Sequence, residues 1–356
     1  MVLHARVCGR VGSRPIQYHN PPVALPRPPG VLFSARHVVQ YGNDILTGVL
    51  PQQLEFSLKL STINFAAFAL TAAALIHSAD AAQIFAITSS NGLVSFDSST
   101  PGTTTPVLSL SGLQAGERLV GIDFRPLTGQ LFGVGSSSRV YTLDTATGIA
   151  TAVGAPFAPL ISGNNFGVDF NPTVDRIRLV SDAGQNLRLN PITGASAAVD
   201  TPLAYAAGDV NFGNSPFIVS AAYTNNFSGA VTTTLYDIDS RAGVLVIQNP
   251  PNNGTLNTVG SLGVAATGPV GFDIARADGV AYASLTVGGV SGLYRISLAT
   301  GAATSLGAIG SGLAITDISV TSVPEPASLL LGGLGLAGLL AWRRRQACRP
   351  ASRLLS

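Results

Sequence analysis

The residues best suited to chemistry in this chain are acidic and amide side chains that recur at a nearly regular spacing. Asp123, Asp169, Asn211, Asp273 and Asp317 each lie in a similar β-like segment, at steps of 46, 42, 62 and 44 residues. If symmetry places all five around one end of a channel, their oxygen atoms could hold Ca²⁺. We expect the structural alternative, in which each side chain bonds turn amides inside its own repeat, and therefore no metal or other cofactor.

Several kinds of catalysis are excluded by residue types that the central part of the chain lacks. The only His, Lys and Cys residues are His4, His19, His37, His77, Lys59, Cys8 and Cys348. Residues 82–321 therefore have no His base, no Cys or Lys nucleophile and no Cys or His ligand for zinc. Glu117 is the only Glu there, so an acid–base pair would have to use Asp. We expect that the protein is not an enzyme.

The charge distribution excludes a nucleic-acid partner. Residues 82–321 contain nine Arg against thirteen Asp and one Glu, a net charge of −5, although the whole chain has a formal charge of +2. A nucleic-acid-binding domain usually carries a basic patch. The central part of this chain is acidic instead.

Internal repeats between residues 83 and 320 predict an all-β domain. One repeat contains Gly121-Ile-Asp-Phe-Arg-Pro, and the next contains Gly167-Val-Asp-Phe-Asn-Pro. Each repeat has four short β-like runs separated by Gly, Pro, Asn or Asp. Four strands in about 45 residues is the size of a propeller blade. A solenoid of β-arches is the competing architecture.

The repeats share a turn in which Gly follows a polar residue by four positions. The pairs are Asp144 and Gly148, Asn190 and Gly194, Asp239 and Gly243, and Ser297 and Gly301. The polar side chain can bond amides of its own turn, and Gly adopts positive φ without strain.

The ends of the repeat region predict how the domain closes. Full copies begin near Leu119, Asn165, Asp209 and Pro269, with an insertion between Ala221 and Leu262 that we expect to be the variable contact loop. Residues 83–110 resemble a repeat without its first strand, whereas residues 313–320 resemble that strand alone. We therefore predict a five-bladed β-propeller-like repeat domain at residues 82–320, closed by pairing of its N- and C-terminal strands.

The N-terminal part predicts export. Residues 1–56 are Pro-rich and irregular, either a leader or the product of a start codon assigned too far upstream. Residues 57–81 have the order of a signal peptide: a basic residue, an apolar run, and small residues at Ala79 and Ala81. A buried core helix is the alternative. We expect signal peptidase to cleave after Ala81.

The C-terminal part predicts membrane sorting. Residues 321–326 form a linker with the motif Val323-Pro324-Glu325-Pro326, and residues 327–342 are a Gly- and Leu-rich apolar run. This run predicts a short transmembrane helix. Arg343, Arg344 and Arg345 begin a basic tail, residues 343–356, which the positive-inside rule places in the cytoplasm.

These C-terminal features resemble the PEP-CTERM sorting signal of Gram-negative bacteria, although residues 346–356 extend beyond the usual end of the signal. The resemblance implies processing by an exosortase, a transient stay in the inner membrane, and a link to exopolysaccharide. A plain tail anchor is the alternative. The repeat domain also resembles an uncharacterised family of domains of unknown function in exported proteins, which implies a propeller-like fold and no activity.

Together these features predict an exported protein of the cell surface or extracellular matrix. We expect a non-catalytic propeller that binds an extracellular partner, with polysaccharide as the expected class. The first alternative is an Asp- and calcium-dependent hydrolase or lyase acting on matrix glycans. The second is a purely structural coat component.

Overall fold

The computed structural model describes residues 81–276 and 278–321. The predicted leader, the signal peptide through Asp80, the sorting motif, the transmembrane helix and the basic tail lie outside them. The strands are β1 Gln83–Thr88, β2 Gly92–Asp97, β3 Leu108–Ser109, β4 Leu119–Phe124, β5 Leu131–Gly135, β6 Arg139–Leu143, β7 Ala150–Val153, β8 Phe166–Asn171, β9 Arg176–Ser181, β10 Asn186–Leu189, β11 Ser196–Val199, β12 Ala204–Tyr205, β13 Ile218–Tyr223, β14 Leu235–Asp239, β15 Val244–Gln248, β16 Thr255–Ser261, β17 Thr267–Ile274, β18 Ala281–Val287, β19 Val290–Ile296, β20 Ala303–Ala308 and β21 Ile315–Val320.

The strands form five sheets, which confirms the five-bladed propeller. Blade 1 has the order β21-β1-β2-β3, blade 2 is β4 to β7, and blade 3 is β8 to β11. Blade 4 is β13 to β16 with β12 added at its outer edge, and blade 5 is β17 to β20. The first strand of each blade is the inner strand, and each inner strand packs against those of the two neighbouring blades.

The ring closes as the sequence predicts. Strand β21 pairs antiparallel with β1, with Ile84 opposite Val320 and Ile87 opposite Asp317. The C-terminal strand thus supplies the inner strand that the first blade lacks. Strand β21 also packs between β17 and β4. Both ends of the domain therefore belong to the sheet of blade 1, and that blade is complete.

The shared turn has the predicted geometry. The Asp144 carboxylate accepts the amides of Ala146 and Thr147 at 2.8 and 2.9 Å, and Gly148 has a φ of 73°. Gly194, Gly243 and Gly301 have φ values of 71°, 65° and 81°. These local signals are why the blade count could be derived from sequence.

Apolar clusters between neighbouring blades form the core. Val134 and Phe132 of blade 2, for example, belong to one buried cluster with Phe170 and Leu179 of blade 3. The rings of Phe132 and Phe170 meet edge to face, with centroids 5.3 Å apart. The described residues include no helix long and apolar enough to cross a membrane.

The start of blade 4 corrects one prediction. Its inner strand begins at Ile218, not near Asp209. The segment 249–254, which we expected to belong to the variable contact loop, is docked on blade 3. The Arg178 guanidinium donates to Asn252 at 2.8 Å, and the Asn186 amide donates to the Pro251 carbonyl at 3.0 Å.

Candidate functional site

Three of the five predicted polar residues meet at the centre of the ring. Asp123, Asp169 and Asp273 lie on inner strands β4, β8 and β17, and each is 1% exposed. One carboxylate oxygen from each lies within 4.8 Å of the others. We call these three residues the axial cluster.

Each carboxylate of the axial cluster binds a backbone amide of the next blade. Asp123 accepts the amide of Phe170 at 2.8 Å, and Asp169 accepts that of Tyr223 at 3.2 Å. Asp273 accepts the amide of Val320 at 2.5 Å. The expectation that these side chains bond turn amides within their own repeat is therefore wrong. They satisfy amides on the inner edge of the neighbouring sheet, which has no further strand to bond them.

A glycine two residues before each of these Asp residues lets the inner strands approach. A Cβ atom on Gly167 would lie 2.5 Å from the Ala221 nitrogen, and one on Gly271 would lie 2.4 Å from the Ile318 nitrogen. On Gly121 it would lie 2.5 Å from the Val168 side chain. In the Gly-x-Asp pattern, the glycine thus allows two neighbouring inner strands to come into contact, and the aspartate joins them by a hydrogen bond.

The same contacts define two layers of equivalent positions around the axis. The carboxylate layer is Asp123, Asp169, Ala222, Asp273 and Ser319. The glycine layer is Gly121, Gly167, Ser220, Gly271 and Asp317. Side chains two residues apart on a strand share a face, so both layers face the same side of each inner strand.

Asp317 does not occupy the predicted equivalent position. The carboxylate layer of β21 is held by Ser319, whose hydroxyl accepts the Phe124 amide at 3.1 Å. Asp317 lies in the glycine layer and accepts the Ile122 amide at 2.8 Å. In β21 the acidic residue lies in the glycine layer and the small polar residue lies in the carboxylate layer. The sequence comparison that placed Asp317 at the position of Asp123 is therefore two residues out of register.

Asn211 is not at the axis at all. It lies in the turn before β13, where its side-chain amide donates to Thr258 at 3.0 Å. Ala222 occupies the carboxylate layer of blade 4, and its side chain has no oxygen to accept the Ile274 amide of blade 5. The Ile274 amide bonds its own neighbour Asp273 instead, at 2.6 Å.

The axial carboxyl groups are electrostatically unusual. Burial, followed by the charge of neighbouring carboxylates, raises the pKa of Asp123 and Asp169 well above 3.8, and burial raises that of Asp273 to about 7. Arg178 lies directly opposite Asp169, but its guanidinium binds Asp200 at 2.7 Å. Among the described residues, no ion pair reaches the axial cluster.

This burial predicts a pH dependence of stability in solutions free of divalent cations. The pKa of Asp273 is about 7 in the folded protein against an ordinary 3.8, so the folded state binds the proton more tightly. The stabilisation is complete below about pH 4 and is lost as the pH rises through 7. We expect the melting temperature to fall between pH 5 and pH 8, measured by circular dichroism, and Asp273→Asn to flatten this slope.

The hydrogen bonds of Glu117 also indicate a structural role. Its carboxylate accepts hydrogen bonds from the Gln114 amide at 3.1 Å and the Tyr141 hydroxyl at 2.5 Å, and also from Ser137. Burial raises its pKa, but the hydrogen bonds outweigh burial and lower it below 4.5. A hydrogen-bonded carboxylate with a pKa below its ordinary value is poorly suited to proton transfer near neutral pH.

A depression lined by both polar and apolar residues lies at the end of the ring where the inner strands begin. It has a volume of about 290 Å³ and is lined by Ser89, Arg118, Val120, Asn164, Asn165, Phe166, Pro269 and Thr316. We call it the axial mouth. The Arg118 side chain is exposed, and within residues 81–276 and 278–321 its one hydrogen bond is to the Asn164 carbonyl at 3.4 Å. Sequence reasoning missed this site because its residues come from five separate segments.

Two family models match the chain. The model described as Domain of unknown function (DUF4394) matches residues 92–319. The model of the PEP-CTERM protein-sorting motif matches residues 322–345, which include Val323 to Pro326 and Arg343 to Arg345 and lie outside the described residues. No curated protein matches the chain.

Solved structures with similar architecture are distant. A protein of unknown function from Bacteroides thetaiotaomicron is 14% identical with a TM-score of 0.39, covering 68% of this chain and 65% of its own. PorZ of Porphyromonas gingivalis, described as a surface component of the type-IX secretion system, is 16% identical with a TM-score of 0.34, covering 65% of this chain and 27% of its own. This chain thus spans less than two thirds of either protein. Similarities at this level say nothing about what it does.

Proposed function

Because this chain belongs to the DUF4394 family of domains of unknown function and carries a PEP-CTERM sorting motif, we propose that it is a non-enzymatic binding protein of the cell surface or extracellular matrix. The sorting motif marks an exported protein that an exosortase processes at the membrane. The propeller is then the part presented outside the cell. Its partner, we infer, is a polysaccharide.

The axial mouth carries this proposal. It offers a guanidinium, two side-chain amides and two hydroxyl groups around a shallow surface. Such groups hydrogen-bond sugar hydroxyls, and Arg also pairs with the carboxylate of an acidic sugar. Residues 82–321 contain no His, Cys or Lys, and the axial Asp residues are buried and bonded to backbone. These features favour binding without turnover.

Arg118→Ala should weaken binding of the full chain to exopolysaccharide from the producing strain by about tenfold, the loss of roughly 1.4 kcal/mol. Arg295→Ala is the matched control, because Arg295 is also exposed but lies on β19, away from the mouth. Binding would be measured by interferometry on immobilised polysaccharide. Equal affinities of the two variants would disprove the mouth as the binding site. Release of new reducing ends by the wild-type protein would overturn the non-enzymatic proposal.

Sorting can be tested independently of binding. Replacing Pro324, Glu325 and Pro326 with Ala should leave the protein in the inner membrane with its C-terminal segment intact, because the exosortase loses its recognition motif. Fractionation, surface labelling and intact mass would be compared with a variant in which Thr321 and Ser322 become Ala. Unchanged surface display and unchanged mass of the first variant would contradict the sorting assignment.

A further inference from the structure

The axis of the ring concentrates negative groups without a positive partner. Asp123, Asp169, Asp273 and Asp317 are all buried, and the first three share a space within 4.8 Å. Ion pairs among the described residues involve only Arg125, Arg178 and Arg188, with Asp175 and Asp200. Carboxylates this close cannot all ionise in a low-dielectric interior unless protons or a cation compensate them.

The hydrogen bonds at the axis favour the ionised form of several of these groups. Asp123 accepts the Phe170 amide and the Ser319 hydroxyl, each at 2.8 Å. Asp273 accepts amides from both Val320 and Ile274. Amide and hydroxyl donors stabilise a carboxylate rather than a carboxylic acid. Asp169, by contrast, has one such donor among the described residues, the Tyr223 amide, so one of its oxygens remains available.

A second, independent feature at the axis is the hydroxyl of Ser220. Ser220 is 1% exposed, and its Oγ has no hydrogen-bond partner. It lies in the glycine layer of β13, on the face that carries the carboxylate layer. At the other positions of the glycine layer, a side chain is present only at Asp317, whose carboxylate accepts the amides of Ile122 in the next blade and of its own neighbour Ile318.

The equivalence of Ser220 and Asp317 in the glycine layer gives the direction of the Ser220 side chain. The Asp317 carboxylate reaches across to the Ile122 amide of the next inner strand. By the same geometry, the Ser220 side chain points toward β17, the next inner strand, which carries Asp273. A buried hydroxyl oxygen without a donor is costly unless a ligand satisfies it.

We propose that the ring binds one Ca²⁺ ion on its axis through carboxylate oxygens of Asp123, Asp169 and Asp273, with the oxygens of Ser220 and Asp317 facing the same ion. The donor set contains only oxygen atoms, which suits a hard cation. Ca²⁺ takes six to eight oxygen ligands at 2.3–2.6 Å, so ligand atoms separated by up to 4.8 Å can share it. Mg²⁺, at 2.0–2.1 Å, requires a tighter set. The ion joins blades 2, 3 and 5 and is independent of the proposed glycan binding.

Calcium binding is tested on the full chain, purified and stripped with EDTA. Titration with CaCl₂ should show one site by calorimetry and by metal analysis after dialysis. At a hundredfold excess over the Kd, the melting temperature should rise by about 5–10 °C. The rise should be larger at pH 8 than at pH 5, since protons compete for the same oxygens.

Two variants and one control locate the ion. Asp169→Asn should abolish the calcium-dependent rise, and Ser220→Ala, which removes only an unpaired hydroxyl, should weaken Ca²⁺ binding about tenfold while the protein stays folded. Asp144→Asn, in an exposed turn, should change neither. The proposal fails if the wild-type protein binds no stoichiometric Ca²⁺. It also fails if Asp169→Asn binds Ca²⁺ as tightly as the wild-type protein, which would indicate surface binding, if Ser220→Ala binds as tightly as wild type, or if magnesium gives the same rise.

Discussion

Deletion of residues 311–320 is expected to abolish the cooperative thermal unfolding of the propeller. This segment contains β21, the inner strand of blade 1, which pairs with β1 and packs against β17 and β4. Ile315, Ile318 and Val320 are 2%, 1% and 4% exposed. Burying each contributes about 1.5–3 kcal/mol. Their combined loss approaches the 5–15 kcal/mol total stability of a typical domain.

The strand also carries two residues that join neighbouring blades. Ser319 and Asp317 accept the amides of Phe124 and Ile122 on blade 2, and Asp273 of blade 5 loses its partner amide at Val320. The deletion therefore opens the ring on both sides. In a solenoid, the same deletion would fray only the last repeat.

The measurement is thermal unfolding followed by circular dichroism and calorimetry. A chain ending at Thr321, which keeps β21 and lacks only the sorting segment, is the control and should melt as the parent does. A peptide of residues 311–321 added in trans should restore the transition, because it supplies the missing strand. If the deleted protein melts at the parent temperature, closure by β21 is not what stabilises the ring.

Gly167→Ala is expected to cost about 3 kcal/mol or more, at the upper end of overpacking effects. The added Cβ would lie 2.5 Å from the Ala221 nitrogen and 2.5 Å from the Ser220 carbonyl carbon. These are backbone atoms of the next inner strand, so neither a rotamer change nor a side-chain shift relieves the clash. The strands must separate, which also lengthens the hydrogen bond from Tyr223 to Asp169.

Gly102→Ala provides the matched control. Gly102 has no positive φ, is exposed, and would place its Cβ 3.9 Å from the nearest atom, the Ala308 carbonyl oxygen. It should change stability by less than about 0.5 kcal/mol. Both variants would be compared by urea unfolding. A Gly167→Ala protein as stable as Gly102→Ala would contradict the view that glycine sets the distance between blades 3 and 4.

Much of the fold followed from the sequence because its signals are local. The turn from Asp144 to Gly148 requires only a polar side chain that bonds its own backbone and a Gly at positive φ. The four strands of each blade alternate with such turns, so their number and length follow from nearby residues. The first repeat lacks one strand, and residues 313–320 form one strand without a repeat. Counting the strands therefore predicted that these two parts pair and close the ring.

The register of the inner strands was a different problem, because an axial position is defined by a neighbour in another blade. Ser319 is equivalent to Asp123 since it accepts the corresponding amide, Phe124, although the chemically similar residue in β21 is Asp317. In blade 4, the inner strand Ile218–Tyr223 has neither Gly nor Asp at the two layers, and the segment around Asn211 imitated the pattern better. Similarity to other repeats therefore pointed to the wrong segment.

The sequence by itself determined that this chain is an all-β repeat protein of five blades with a C-terminal sorting motif. Strand alternation, turn chemistry and the motif each depend on residues that lie close together in the sequence. Only the tertiary structure decided which residues meet at the axis and at its mouth. Asp169 bonds an amide 54 positions away, and Asp317 bonds one 195 positions away. Contacts of this kind arise when the ring closes, and no local pattern encodes them.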